Sequence, residues 1–282
     1  MAEDDTFGAR YGPWAVVAGA SEGVGEALAR AFAARGLHVV LLARRQAVLD
    51  EVAASIRAEA RVEARPVAID LASGDAMERI VAATADLEVG LVAYCAGADP
   101  NYEPFLANPV GTALSMVQRN CAVPVQVCHH FAGPMVERAR GGIVLVGSGA
   151  GLVGAPNMVA YAASKAFDMV LGEARWAELH DQGVDVLSLV LGVTDTPALR
   201  RLLARRGVLA DPEGDTPIPG AVSAADVADE AIAHLADGPT WFVGELLRTG
   251  AQHLGSIPRN DAVRLMIEVG GGVMGAGQEM QG

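Results

Sequence analysis

Tyr161 and Lys165 stand four residues apart, a spacing that puts both on one face of a helix about a turn from each other. A free phenol keeps its proton to a pH near 10. An ammonium beside it favours the phenolate and brings proton transfer toward neutral pH, so the pair has the chemistry of a general acid and base. Of the 21 lysines and arginines in the chain, Lys165 is the one lysine. Ser148 closes an apolar run upstream, where its hydroxyl can donate to a substrate carbonyl as negative charge develops there. Asn120 lies earlier, in a long helical stretch. Its amide either holds a water that relays protons toward Lys165 or is an exposed helix residue.

A second group of residues has the chemistry of nucleotide binding. Ala18-Gly19-Ala20-Ser21-Glu22-Gly23-Val24-Gly25 follows a short apolar run and opens a helical pattern. Glycines there let the backbone approach a pyrophosphate, and the helix amino terminus offers unpaired N–H groups and a positive dipole. Sheets of this kind often carry an acid about 20 residues on, for the ribose 2′-hydroxyl. Arg44-Arg45 occupies that region instead. A guanidinium pairs with a 2′-phosphate that a carboxylate would repel, so the arginines point to NADP(H) rather than NAD(H), unless they are two solvated surface cations. Asp70 ends a later apolar run and either faces the adenine or caps its own loop.

Positioning these groups requires a regular frame, and the hydrophobic pattern provides one. Apolar runs at 14–19, 37–43, 64–69, 87–94, 142–147, 184–191 and 240–243 read as strands. Helical spacing at 23–35, 45–60, 75–85, 110–138, 159–182 and 224–236 alternates with them, with Pro124 expected to kink the stretch 110–138. Gly36 takes the position after a helix end. Alternating strands and helices imply right-handed parallel β-α-β units. The expected fold is therefore α/β, a single-domain doubly wound Rossmann fold, its parallel sheet of about seven strands flanked by helices on both faces. The proline-rich stretch 195–223 interrupts the order as an insertion around a short amphipathic piece, 198–206. There Leu199, Leu202 and Leu203 should face inward, and Arg200, Arg201, Arg205 and Arg206 should form a solvated side. A C-terminal extension from about 250 holds one weak helix, 260–269, before a Gly/Met-rich tail.

Composition narrows the function. A formal net charge of −13 lacks the basic footprint of a nucleic-acid binder. No apolar run approaches the roughly 20 residues of a membrane helix, and the acidic start is unlike a secretory signal. Cys95, Cys121 and Cys128 form no C-x-x-C pair and read as reduced thiols, the usage of a cytoplasmic protein. The adjacent His129 and His130 point to different helix faces, so no metal site is expected. Gly147-Ser148-Gly149 lacks the spacing of a hydrolase nucleophile elbow.

Taken together, the glycine loop, Ser148, Tyr161-Ala-Ala-Ser-Lys165 and the arginine pair resemble the short-chain dehydrogenase/reductase family over about residues 12–245. Tyr11-Gly-Pro-Trp-Ala-Val-Val-Ala-Gly-Ala-Ser-Glu-Gly-Val-Gly25 and the later Leu-Leu-Ala-Arg-Arg45 are similar to the branch of 17β-hydroxysteroid dehydrogenases and 3-ketoacyl reductases. The resemblance implies a catalytic tetrad of Asn120, Ser148, Tyr161 and Lys165. It implies a cofactor site of Gly19, Ser21, Glu22, Gly23, Val24, Gly25, Arg44, Arg45, Asp70, Leu71, Ala96, Gly97, Tyr161, Lys165, Gly192, Val193, Thr194 and Thr196. It also implies a homodimer or homotetramer paired through two long helices, here 110–138 and 159–182. Three positions depart from the family pattern: Ala18 replaces a threonine, Tyr94-Cys95-Ala96-Gly97 an Asn-Asn-Ala-Gly, and Leu191-Gly192 a Pro-Gly. The expected activity is NADP(H)-dependent reduction of a ketone, or oxidation of a secondary alcohol. The Leu/Ala/Val/Pro-rich insertion points to an apolar substrate, steroid-like or acyl. A non-catalytic NADP-binding sensor or scaffold of the same fold is the alternative.

Overall fold

A computed structural model describes residues 2–99 and 101–273, with side chains within 6–99 and 101–268. Seven parallel strands form one sheet: β1 (Trp14–Ala18), β2 (His38–Ala43), β3 (Ala64–Ala68), β4 (Val89–Tyr94), β5 (Gly141–Ser148), β6 (Val184–Leu191) and β9 (Thr240–Phe242). Their order across the sheet is β3-β2-β1-β4-β5-β6-β9. The chain builds outward from β1 to β3, then crosses back to place β4 on the other side of β1. That reversal opens a crevice at the carboxyl ends of β1 and β4, where doubly wound sheets bind ligands.

Alternation along each strand sorts the core into two layers. On one face Ala15 and Val17 of β1 and Leu41 of β2 pack with Leu28 and Phe32 of α2 (Gly23–Ala34), Leu49 and Ile56 of α3 (Gln46–Ala60) and Val227 of α9 (Ala224–His234). On the other, Val16, Val40 and Leu42 pack with Ile80 of α4 (Ala76–Thr84), Val127 and Phe131 of α6 (Val123–Glu137) and Leu179 of α7 (Val159–Leu179). A short parallel pair, β7 (Thr194–Asp195) with β8 (Val222–Ser223), pins the two ends of the insertion together. Between them runs α8 (Pro197–Arg205). Among the described residues no helix is long and apolar enough to cross a membrane.

The expected single helix over 110–138 is divided. α5 (Val110–Val117) and α6 are joined by a π turn, Gln118–Ala122, in which the Val123 N–H reaches back to the Gln118 carbonyl. Pro124 has no N–H to give the Asn120 carbonyl, so the regular ladder fails one residue set earlier than a proline kink alone would place it. The carboxyl-terminal helix reading was also incomplete. α10 (Glu245–Ser256) precedes α11 (Arg259–Val273). Its amino end is set by Gly244 at φ +78°, a signal that a proline- and glycine-rich neighbourhood obscures. The Gly/Met-rich tail, 274–282, lies outside the described residues.

The acidic start, which carries no element in the sequence reading, holds α1 (Ala2–Tyr11). Asp185, buried at the beginning of β6, holds it by accepting from the Tyr11 hydroxyl at 2.6 Å and from Arg10 Nε and Nη2 at 2.6 and 2.7 Å. The anchor sits at the amino ends of the strands, opposite the crevice.

Candidate active site

The crevice begins at the glycine loop. Gly19 and Ala20 donate their N–H groups to the Leu42 carbonyl at 2.7 and 3.1 Å, and Cys95 N donates to the Ala18 carbonyl at 2.9 Å. Backbone bonds thus stitch β1, β2 and β4 together where Ala18 has no side chain to do so. Gly25 is obligatory for a steric reason, since a Cβ there would stand 2.2 Å from the Gly19 carbonyl oxygen. No side chain caps the amino end of α2, so its first N–H groups keep their donors free for an anion. A Cβ on Gly23 would meet the Thr196 methyl at 3.1 Å, so loop and insertion lie against each other. This cradle fits a dinucleotide pyrophosphate.

The two arginines differ. Arg45 donates to Glu22 Oε2 at 2.8 Å. Arg44 is exposed at the same corner and has no side-chain partner among the described residues. Glu22 also binds Arg201 of α8 through its other oxygen. Burial pushes the Glu22 carboxyl up, but the hydrogen bonds and charges of Arg201 and Arg45 outweigh it and hold the group below its ordinary value. Asp70 caps its loop, accepting from Ala72 N at 3.0 Å. Leu71 is buried beside it. The basic side of α8 is engaged rather than merely solvated: Arg200 grips Asp195 with two bonds of 2.6 and 2.7 Å, and Arg206 lies over the Tyr102 ring. Leu202 and Leu203 are buried, as the pattern required.

α7 carries the acid-base pair into the site. Tyr161, Ser164, Lys165 and Asp168 follow i, i+3, i+4, i+7 spacing and so share a stripe. Lys165 is 4% exposed and donates to the Val146 carbonyl at 2.8 Å and to Asp168 Oδ2 at 2.9 Å. An ammonium has three donors, so one remains for a ligand. Ser148 Oγ, at the carboxyl end of β5, accepts from Ala150 N at 3.2 Å, which leaves its O–H to donate. Tyr161 lines a cavity of about 340 Å³. The other walls include Phe105, Leu106, Met116 and Val159 with Asp99, Asn101 and Asn108. None of the residues lining it comes from 195–223.

Asn120 is fully buried, which removes the exposed-helix alternative. Its Nδ2 donates to Ser164 Oγ at 2.9 Å and to the Gly97 carbonyl at 3.2 Å, while Oδ1 accepts from Arg119 Nε at 3.2 Å. The side-chain amide is therefore committed to protein partners. Gly97, at φ +135°, passes so close that a Cβ would stand 2.8 Å from Asn120 Oδ1. Tyr94, where the family pattern has asparagine, donates its hydroxyl to the Arg119 carbonyl at 2.6 Å and ties β4 to the π turn. Ala96 lies beside it on the crevice floor. Across the crevice Gly192, Val193, Thr194 and Thr196 form the far wall. Thr194 donates to the Gly192 carbonyl at 3.3 Å, Val193 accepts from Val222 N at 2.9 Å, and Thr196 caps α8 through Leu199 N at 3.2 Å. Ser21 and Val24 complete the glycine loop.

Sequence reasoning passed over Asp168, Arg119 and the cavity wall from Asp99 to Met116. Asp168 had a usable signal, a charged residue at i+7 on a helix face that must be buried.

A glycine cradle at the switch point, with serine at the end of β5 and tyrosine and lysine on α7, defines a dinucleotide-binding α/β oxidoreductase. Residues 13–207 match the family described as short chain dehydrogenase, and the chain belongs to that family. A 7beta-hydroxysteroid dehydrogenase of Clostridium sardiniense is 33% identical over 261 residues, covering 91% of this chain and 95% of the relative. A solved structure from a study of 7beta-hydroxysteroid dehydrogenase stereoselectivity superimposes with a TM-score of 0.84 at 28% identity, covering 92% of this chain and 98% of the other. A short-chain dehydrogenase from Sphingobium yanoikuyae, solved with NADPH, gives 0.71 at 25% identity over 88% and 96% of the two chains. The hydroxysteroid dehydrogenase branch and the doubly wound sheet expected from the sequence both hold.

Proposed function

We propose that the chain, acting as one domain, is an NADP(H)-dependent oxidoreductase that reduces a ketone, or oxidises the matching secondary alcohol, on an apolar substrate such as a steroid-like or acyl ketone. The observation that carries this reading is the stripe of α7, where Tyr161 lines the cavity and Lys165 lies one turn deeper with a donor to spare. Leucine, phenylalanine, methionine and valine in the cavity wall favour an apolar body around the reacting carbonyl.

When bound, the nicotinamide supplies or accepts the hydride. Tyr161 gives its phenolic proton to the carbonyl oxygen, and Ser148 Oγ donates a second hydrogen bond to the same oxygen. Lys165 favours the phenolate that remains and offers its third N–H to the nicotinamide ribose. Asn120 fixes the floor through Gly97 and Ser164. Gly19, Ser21, Gly23, Val24 and Gly25 with the α2 amino end hold the pyrophosphate. Arg44 holds the 2′-phosphate, with Arg45 beside it. Exposed Val110, Leu114 and Val117 on α5 and Val170 on α7 support a homo-oligomer paired through these helices.

The test is paired. NADPH and NADH are titrated separately by the fluorescence of the reduced nicotinamide, and then steroid and acyl ketones are supplied with the tighter cofactor. Preference for NADPH with consumption of a ketone supports the reading. Binding without turnover of any ketone or alcohol would favour the non-catalytic alternative.

A further inference from the structure

Asp168 has no part in the reaction described above, yet it lies against its machinery. The residue is 3% exposed, and Oδ2 accepts from Lys165 Nζ at 2.9 Å. Its Oδ1 is buried with no donor among the described residues. Burying a carboxylate with one oxygen unserved is costly, and an apolar side chain at this interior position of α7 would avoid that cost. The position therefore retains its charge for the sake of its partner. Lys165 needs one, because burial without a counter-ion drives a lysine toward the neutral amine, which has no charge to favour a phenolate.

We propose that Asp168 is a positioning residue of the active site, the fixed counter-ion that keeps Lys165 an ammonium and, with the Val146 carbonyl, aims its remaining N–H at the ligand side. Two anchors 2.8 and 2.9 Å from Nζ leave that ammonium little freedom to turn. Among the described residues Asp168 is the carboxylate paired with Lys165. Against Asp168 or Lys165 stand Tyr94 on β4, Cys95 after it, Cys121 in the π turn and Cys128 on α6, with Tyr161 one turn away on α7, while Arg119 and Arg175 act on Tyr94 and Cys128. Burial pushes Cys95 and Cys128 up to about 12 and raises Cys121 and Tyr94, so all four stay neutral through the physiological range. Burial also raises the Asp168 carboxyl, against the pull of the Lys165 charge and hydrogen bond.

The inference rests on the proposed reaction for its meaning but not for its test. Lys165 is the one lysine, so protein grown with lysine labelled with carbon-13 at Cε gives one side-chain resonance, whose shift reports ammonium or amine directly. In the wild type that resonance is expected to be an ammonium at neutral pH. In Asp168→Asn it should become an amine at a pH lower than in the wild type, with Asp168→Glu restoring most of the difference. With a ketone that the wild type turns over, the alkaline limb of kcat should move to lower pH in Asp168→Asn and return in Asp168→Glu. A neutral lysine in the wild type at neutral pH would overturn the proposal without any variant. A lysine titration and an alkaline limb unchanged in a folded Asp168→Asn protein would overturn it too, and would leave Asp168 a packing residue. If no ketone is turned over, the proposed reaction fails, while the lysine resonance still decides the pair.

Discussion

Hydrogen-bond capacity assigns work at the scale of single residues. Ser148 has spent an acceptor on Ala150 and keeps its proton to give, and Lys165 has spent two donors of three. Tyr161 borders the cavity. Replacing it with phenylalanine removes one oxygen and little volume. NADPH should still bind, and turnover should fall by about 10²–10⁴-fold, the range for a positioned general acid. Unchanged turnover in steady-state assays would remove Tyr161 from the mechanism. The arginine pair gives a sharper expectation than its sequence does. Arg45 is drawn to Glu22, so Arg44 is the cation open to a 2′-phosphate. Arg44→Ala should weaken NADPH about tenfold to a hundredfold, as expected for a lost charge-assisted bond, and leave NADH unchanged. Equal losses for both cofactors would sink the assignment. Residue types and spacing brought Ser148, Tyr161 and Lys165 forward as candidates, and the family resemblance added Asn120 to them as a tetrad. The committed state of Asn120 was not legible, since it depends on Gly97, Ser164 and Arg119 meeting from three segments.

Elements follow the same division between local and distant causes. The central strands β1, β2, β4, β5 and β6 were readable because a strand buried on both faces must be nearly continuously apolar, and a flanking helix such as α2 because it must show one apolar stripe. The π turn was not, because an extra residue inside a helix leaves the hydrophobic period almost intact. Its cause is Pro124, which has no N–H for the carbonyl four residues back. The role of α8 was equally hidden. Its arginines look like a solvated face, but Arg201 crosses to Glu22 and fastens the insertion to the glycine loop. Glu22 is pushed up by burial and pulled further down by the two arginines, so its folded value lies below its unfolded one. The tie therefore contributes above the ordinary carboxylate range near about 4.3 and is lost as pH falls through the lower folded value. The protection of the α8 amides, exchange taken relative to the intrinsic rate at each pH, should fall on acidification through that window. Arg201→Ala should raise exchange there by up to about fivefold at neutral pH, in keeping with a half-exposed pair of about 0.2–1 kcal/mol, and should flatten the pH dependence. Exchange in α8 that ignores both changes would mean the helix is held by Leu202 and Leu203 alone.

Across the whole molecule, anchoring and chemistry lie at opposite ends of the sheet. Asp185 fixes α1 at the amino ends of the strands, and the crevice opens at the carboxyl ends, so the start of the chain can be secured without touching the cradle. The sides of the sheet raise a different question. Val110, Leu114 and Val117 recur at i, i+4 and i+7 along α5 and are 67%, 61% and 46% exposed. Such a stripe on a helix is built to be covered. Val159, Phe167 and Val170 on α7, a helix that packs against α5, extend the apolar surface. A second copy of the chain would cover both helices by an isologous contact. Leu114→Glu sets a carboxylate in the middle of the stripe, where it would face its own copy across a two-fold axis. Burying it costs more than the about 1.5–3 kcal/mol lost with one leucine, so association should weaken by at least about tenfold. Sedimentation velocity at micromolar concentration should then find the wild type as a dimer or larger and Leu114→Glu shifted toward the monomer. Val110 and Val159 also line the cavity beside Tyr161. Separation of the subunits should therefore raise KM for an apolar ketone more than it lowers kcat. A wild type that sediments as a monomer would instead leave the stripe to the substrate.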